Sequence, residues 1–582
     1  MKKLLILLLL SISFIQAKSE NIFVKPNGSI YDAIQKARNM RRLGKDSVFN
    51  IILEGDEYVL DEPIILRPED SGTENNPLTI KSADGKSARI SSKRIINDWK
   101  HENSSNFWIS WSPECKNSNK LLSIRQLWKN GKKQLRSNQF KKYELDRILD
   151  FNIEERTISI PTQKFLLEYD KDDQLEILIH QRWAIAILRI KNYKIEGNIT
   201  KLYFCEPESH LEFLHPWPQP IINGEKGSSS YCLQNSIYFL DEPGEWYQDE
   251  NNCIFYNLSK DENISNDEFC CAELENLFKI EGSSLSKVKN ITVEGITFEY
   301  SAWKRPSEKG LVTLQGGFAV TEAYKLQEAG LPWNENLENQ AWIERPEAAV
   351  SVEWAENVNI VNCSFNHLSG TALDIKKGVK NSKIINNKFS DIGGTAIMVG
   401  TFGEGATEVH NPIIISDSEF TENINIKNNI ITDATNEDWG ATGISAGYVR
   451  HVNIENNKID NVNYSGICVG WGWTSHFTGM CDNHIKNNSV TNFAKMLYDA
   501  GGIYTLSNQP NSSIENNYID KIGNSPYTTN DRGFYIYLDE ATDGYTIKNN
   551  WCPENKFGDN KPGPNVIWKN NGKAAKINIV NK

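Results

Sequence analysis

Seven short stretches between Ile360 and Cys552 repeat one pattern: an aliphatic residue, a spacer, Asn, usually a second Asn, then a residue that is mostly apolar. They read IVNCSF, IINNKF, IKNNII, IENNKI, IKNNSV, IENNYI and IKNNWC, opening at Ile360, Ile384, Ile426, Ile454, Ile485, Ile514 and Ile547. An eighth, VEGITF from Val293, lacks the Asn. Most steps are roughly 24 to 33 residues, a solenoid period, and the long step from Ile384 to Ile426 fits a loop insertion. Each unit offers short strands and Asn- or Gly-rich turns with no helical pattern. The chain is therefore expected to be all-β, coiled as a parallel β-helix.

A second column keeps the same register. It runs ALDI, AIMV, GISA, GICV, GIYT and YIYL. Stacking Leu373, Ile397, Ile444, Ile467, Ile503 and Ile536 inward leaves Asp374, Met398, Ser445, Cys468, Tyr504 and Tyr537 as the outer row, because strand side chains alternate. The Asn runs suit inward ladders in which stacked amides satisfy one another, a structural role.

The rest of the chain divides around this solenoid. Met1 to Ala17, with Lys2-Lys3 before an apolar run from Leu4 to Ile15, reads as a secretory signal peptide (1–17), so the mature protein is expected to be periplasmic or extracellular. Residues 18–96 read as a cap and the first coils, with Ile30, Ala33, Ile34 and Ala37 at helical spacing to close the open end. From 97 to 276 the period is lost. Short alternating strands there, including LWKNGKKQL with Asn130-Gly131 at a hairpin tip, suggest an inserted β-sandwich-like domain. The main coil resumes at 277–582, and the segment from Pro306 to Glu347, with Gly316-Gly317 and Trp333, is a candidate lid or wall.

Charge narrows the partners. A net charge of −12 argues against nucleic acid, and no later stretch is apolar and long enough to span a membrane. Sixteen Trp supply flat faces for sugars. The ten cysteines read mostly as buried thiols, although export permits a disulfide or two. They have no zinc-type spacing, so no metal or cofactor is expected. The oligomeric state is not readable.

Solenoid enzymes place their sites on an outer face, because the interior is packed. The richest polar and aromatic cluster falls in GWGW (470–473), YDAGGIYTLSNQP (498–510) and DRGFYIYLDEATDG (531–544). Glycosidic hydrolysis needs two carboxyl groups, one protonated and one ionised; Asp499, Asp531, Asp539, Glu540 and Asp543 are candidates. Trp471, Trp473, Tyr504 and Tyr537 could stack on sugar rings, and Arg532 is a nearby cation. His476 follows GWGW and could line the cleft, whereas His367 suits a structural hydrogen bond. Asp374 lies outward but several coils away, as a distal contact or surface residue. Gly501-Gly502 would allow the close backbone approach needed to bring Asp499 back toward Asp539.

These motifs resemble the right-handed β-helix glycosidases of glycoside hydrolase family 141. PEDSGTENNPLTIKS, RQLWKNGKK, LDEPGEWYQDE, ITFEYSAW, YSGICVGWGW, DAGGIYTL and IYLDE occur in family order over most of the chain. The resemblance implies a right-handed parallel β-helix acting on carbohydrate, with Asp499 and Asp539 as the catalytic pair. It also implies α-L-fucosidase or xylanase type activity on plant- or algal-type polysaccharide. After Asn550 the chain departs from the family, giving Pro553, Pro562 and Pro564 where further coils are expected, so one wall of the site should be its own. A β-helix polysaccharide lyase and a non-catalytic glycan-binding β-helix are the competing readings. In the candidate coils only Arg532 and Lys521 could serve a lyase, and an acidic cleft repels a uronate. The motif of a polygalacturonase is missing.

Overall fold

The computed structural model describes residues 19–577 except 45–46, 103–106, 119, 140–144, 168–173, 216, 260–261, 324–340, 405–414, 526 and 529–531. The stretch read as a signal peptide lies outside the described residues, as do Trp333 and Asp531.

Three parallel sheets, of 12, 10 and 9 strands among the described residues, run side by side as the faces of a parallel β-helix. The aliphatic openings of the repeats fall on one sheet, where Ile360, Ile384, Ile426, Ile454, Ile485, Ile514 and Ile547 are register partners from coil to coil. The second column forms another, with Leu373, Ile397, Ile444, Ile467, Ile503 and Ile536 stacked inward. On the third, Phe298, Phe365 and Phe389 stack with centroids 5.4 and 4.6 Å apart. The interior column is apolar because the coil closes on itself and admits no water.

From Asn387 onward the turns after the first-sheet strands carry an inward Asn, whereas Cys363 and Ile296 hold that place in the two preceding coils. Asn387, Asn429, Asn457, Asn488, Asn517, Asn550 and Asn571 form one ladder, each Nδ2 donating to the next Oδ1 at 2.9–3.0 Å. The same Oδ1 accepts the backbone N–H of the preceding Asn, as at Asn429 N to Asn457 Oδ1, 3.0 Å. The first Asn of each pair takes positive φ, as at Asn428 (57°) and Asn456 (57°), a conformation Asn tolerates better than most residues.

Helix Ile30–Arg42 covers the N-terminal end with Ile30, Ala33, Ile34 and Ala37 buried, and the Ser29 side chain accepts from Asp32 N at its start. Among the described residues no helix is long and apolar enough to cross a membrane. All ten cysteines are free.

The longest interruption of the coil lies between strands Arg89–Ser91 and Phe278–Glu281. Strand Ile64–Leu66 pairs in register with Phe278–Glu281, so the intervening chain leaves one coil and returns to the next. What it builds is mostly antiparallel: Phe107–Trp111, Cys253–Asn257 and Glu245–Gln248 in one sheet, Glu176–Gln181, Ala184–Glu196, Ile199–Phe204 and Thr157–Pro161 in another. Ile177 and Leu188 of the second sheet share an apolar cluster with Met398, Tyr448 and Trp471 of the coils. The excursion therefore lies on the outer face of the sheet that carries Leu373 to Ile536.

That coverage corrects one expectation. Asp374 is neither a surface residue nor a distal contact: it is fully buried, held by Arg345 Nε and Nη2 at 2.6 Å each. Met398 of the same outer row is buried as well. Arg345 follows hairpin strands Ala319–Ala323 and Ala341–Glu344, so the described part of the 306–347 segment does form a wall over this face.

Candidate active site

Strands Ala500–Thr505 and Gly533–Leu538 are neighbours in the 10-stranded sheet, pairing Ile503 with Ile536 and Tyr504 with Tyr537. Asp499 precedes the first strand and Asp539 follows the second. In a straight ladder they would sit at opposite ends, yet both line one cavity of about 380 Å³. The expected fold-back is not at the double glycine: Ala500–Thr505 runs through it in unbroken register with Gly533–Leu538, and the turn falls at Asp499. The glycines serve close packing instead, since a Cβ on Gly501 would stand 2.7 Å from the Ile503 carbonyl oxygen, and one on Gly502 2.4 Å from Ile519. Side chains are excluded there because the backbone folds over the coil interior. Asp499 itself takes φ 59°, and the Tyr464 hydroxyl donates to its carbonyl at 3.1 Å.

The two carboxyl groups are each 8% exposed but have different surroundings. Asp499 is held above the ordinary aspartate range, chiefly by burial, with the nearby Asp539 adding to it. Arg532, with Nε 3.2 Å from Oδ1, and a hydrogen bond from the Tyr537 phenol pull the other way without cancelling it. The Arg532 approach is an ion pair without hydrogen-bond alignment, so Oδ1 has no well-formed donor. Asp539 has both oxygens engaged: the Tyr504 hydroxyl donates to Oδ2 and Asn560 Nδ2 donates to Oδ1 at 2.8 Å. Its backbone N–H is tied to the Thr505 carbonyl at 2.8 Å. One carboxyl thus retains a proton more readily than a free aspartate, and the other is fixed as an acceptor.

Around this pair the cavity is lined by Trp473, Tyr504, Arg532, Tyr537 and Glu540, with Glu540 ion-paired to Lys561 at 3.0 Å. Two others fall elsewhere. Trp471 is 3% exposed and packs against Phe318 and Phe402 behind Trp473, with centroids 5.3 and 5.0 Å away; the glycines of GWGW turn it inward. His476 is exposed, outside the cavity lining, because the loop after Trp473 swings to the surface. Asp543 likewise lies outside the lining, its carboxylate accepting from Asn565. His367 bonds Asp391 at 2.8 Å, the structural role.

The rest of the wall comes from the excursion and the tail. Arg182 and Trp183 sit at the tip between strands Glu176–Gln181 and Ala184–Glu196, and the Tyr498 N–H donates to the Arg182 carbonyl at 3.1 Å. Trp183 and Trp217 stack with centroids 5.9 Å apart, and the Arg182 guanidinium lies 5.0 Å from the Trp217 ring centre. Trp183 Nε1 donates to the Leu314 carbonyl at 2.8 Å, and Gln315 hydrogen-bonds Tyr504. Asn560 and Lys561 follow a strand, Phe557–Asp559, laid on Gly533–Leu538. A Trp next to Arg at a two-residue hairpin tip (His180-Gln181-Arg182-Trp183-Ala184) was the available signal for the excursion's share.

Two carboxyl groups in unlike surroundings, lined by aromatic rings, suit acid-assisted cleavage of a sugar–oxygen bond. Among the described residues the one cluster with metal-ligand spacing, His451, Cys481 and Asp482, lies outside the lining.

Residues 105–260 match the family described as the GH141 insertion domain. A solved structure of a protein named glycoside hydrolase superposes with a TM-score of 0.90 at 33% identity, over 96% of this chain and 97% of that one. More remote are the complex structure of XylC with xylose (TM-score 0.45, 13% identity, 93% and 70% covered) and a hyperthermoactive exopolygalacturonase from Thermotoga maritima (0.30, 14%, 50% and 55%). No curated protein matches significantly.

Proposed function

This chain belongs to glycoside hydrolase family 141, and we propose that it cleaves a neutral plant- or algal-type polysaccharide with Asp499 as general acid and Asp539 as the carboxylate. The supporting observation is the unequal pair: a buried carboxyl raised above its usual range, and a second fixed by Tyr504 and Asn560, on neighbouring coils of one cavity. In the reaction Asp499 gives its proton to the leaving glycosidic oxygen while Asp539 assists attack at the anomeric carbon, directly or through water. Trp183, Trp217, Trp473 and Tyr537 offer ring faces for sugars on either side. An α-L-fucosidase or xylanase type activity follows the family, and the apolar N-terminal run supports export to the periplasm or beyond.

Hydrolysis of a panel of aryl glycosides and of pectic and xylan oligosaccharides tests the reading, with wild type, Asp499→Asn and Asp539→Asn run side by side. Reducing sugar released by wild type and lost by about 10²-fold or more in both variants is expected. Appearance of the ultraviolet band of an unsaturated uronate, surviving both substitutions, would make the protein a lyase instead.

A further inference from the structure

A second cavity, of about 210 Å³, opens on the same edge of the 10-stranded sheet. Its floor is Gly370-Thr371, Gly394-Thr395 and Ala441, which directly precede the strands aligned through Leu373, Ile397 and Ile444. Ala500, beside Asp499, occupies the equivalent place three residues before Ile503. The coil of Ile444 lies two coils from that of Ile503, about 10 Å along the axis. Only a thin partition separates the cavities: Trp183 and Leu314 line the first, while the Trp183 carbonyl oxygen would stand 3.0 Å from a Cβ on Gly440 at the edge of the second.

Most charges around this cavity already have partners. Arg345 is held by Asp374 and Glu404, Arg305 by Glu344, Glu347 accepts from Asn276 Nδ2, and Glu275 from the Lys304 N–H. Three polar atoms are left over, two of them fully buried. Asp438, 6% exposed, accepts from Gly440 N with Oδ1 at 3.1 Å, and no described residue donates to its Oδ2. Ser369 Oγ and Arg305 Nε are buried without a hydrogen-bond partner among the described residues. Polar atoms so placed require a partner. The carboxylates do not converge at metal-ligand spacing among the described residues, so a cation is not favoured. Asp438 beside Glu275 and Glu347 repels an anion. An acceptor, a hydroxyl and an N–H in a cavity that Trp303 also lines match a ring that carries several hydroxyl groups.

We propose that the cavity between Trp303, Ser369 and Asp438 is a second sugar-binding site that takes one neutral pyranose unit of a polysaccharide. The volume is below the range of cavities that hold drug-sized ligands, which fits a single ring. The site rests on the glycosidase reading for its ligand class alone, and its chemistry is independent of Asp499 and Asp539.

Native-gel affinity electrophoresis tests it, with arabinoxylan, xyloglucan or galactomannan cast in the gel and pectate as the acidic control. The protein is the Asp499→Asn/Asp539→Asn double variant, so that no probe is digested. Retardation by at least one neutral polysaccharide is expected, weakened about 3- to 10-fold in affinity by adding Asp438→Leu or Ser369→Ala. Asp438→Asn, which keeps shape and hydrogen-bonding capacity, should retain more binding than Asp438→Leu, with all melting temperatures recorded to confirm folding. Retardation on no neutral probe, or retardation indifferent to both Asp438→Leu and Ser369→Ala, would overturn the site. Wild-type hydrolysis measured alongside separates the two readings: hydrolysis with indifferent retardation sinks this site alone, and Asp438-dependent retardation without hydrolysis sinks the catalytic assignment alone.

Discussion

Arg532 Nε stands 3.2 Å from Asp499 Oδ1, and the aspartate carboxyl is nevertheless held above its ordinary range. Burial outweighs the ion pair because Arg532 is itself partly open to solvent, where its field is screened. Replacing Arg532 by Met should therefore raise the Asp499 pKa further. A general acid must be protonated to act, so the alkaline limb of the kcat/KM profile should move to higher pH, by about one unit at most. A limb that moves to lower pH, or stays in place while activity persists, would mean that Asp499 is not the acid.

Tyr504 bears on the other carboxyl. Its hydroxyl is the donor to Asp539 Oδ2, and the ring is buried against Tyr537 with centroids 5.3 Å apart. Tyr504→Phe keeps the ring and removes the donor, leaving Asn560 alone on the carboxylate. A hydrogen bond to a charged group is worth about 1.5–3 kcal/mol, so kcat/KM should fall about 10- to 100-fold with the melting temperature little changed. Steady-state kinetics beside a thermal melt checks this; equal losses of fold and activity would assign Tyr504 to stability alone.

Trp183 and Trp217 reach the cavity from the excursion, not from the coils. If they hold a sugar ring, Trp217→Ala should raise KM more than it lowers kcat, because stacking acts on ground and transition state alike. An aromatic contact of about 0.5–1.5 kcal/mol predicts a change of about 2- to 10-fold in KM. A pure kcat effect would place Trp217 among the groups that position the carboxyls instead.

The column Leu373, Ile397, Ile444, Ile467, Ile503 and Ile536 was legible in the sequence because a β-helix repeats its own register, so each coil states the address of the next. Asp499 and Asp539 could be placed on neighbouring coils for the same reason, but the turn that serves them lies at Asp499 and not at the double glycine. Asp374 and Trp471 were not, because what covers them, Arg345, Phe318 and Phe402, comes from outside the repeat. Trp183 and Trp217 lie in a domain without a period, and nothing local in sequence says that its hairpin tip docks beside Tyr498. Alternation tells which way a side chain points; it does not tell what another part of the chain lays over it.

The Asn ladder makes its own claim on stability. Asn457 Oδ1 accepts both the backbone N–H and the Nδ2 of Asn429, while its Nδ2 donates to the Ile426 carbonyl and to Asn488 Oδ1. Asn457→Ala strands the fully buried Asn429 N–H, at about 1–3 kcal/mol for a buried unsatisfied group, and opens a small cavity besides. Asn571 ends the ladder half-exposed, where water replaces the lost partner. Asn457→Ala should thus lower denaturant or thermal stability clearly more than Asn571→Ala. Equal effects would mean that the amides stack without carrying energy.

Asp438 gives a prediction whose sign differs from that of an aspartate held by an ion pair. Burial pushes its carboxyl up to about 6, with one N–H, from Gly440, in partial opposition. In the unfolded chain the same group titrates near 3.9. Between those values the folded protein holds a proton that the unfolded chain has released, so stability falls as pH rises from about 4 to about 6 and is level above. A shift of about two units corresponds to roughly 3 kcal/mol as an upper bound. Asp438→Asn removes the titration and leaves the shape. Its stability relative to wild type should therefore be smallest below about pH 4 and should grow to a gain of up to about 3 kcal/mol above pH 6, read as a melting-temperature difference at paired pH values. Comparing the two proteins at each pH cancels every other titrating group, including the raised Glu275 nearby. A difference that does not change with pH, or one that grows toward acid, would mean that Asp438 is ionised in the fold at all working pH values and has a partner that stabilises its charge.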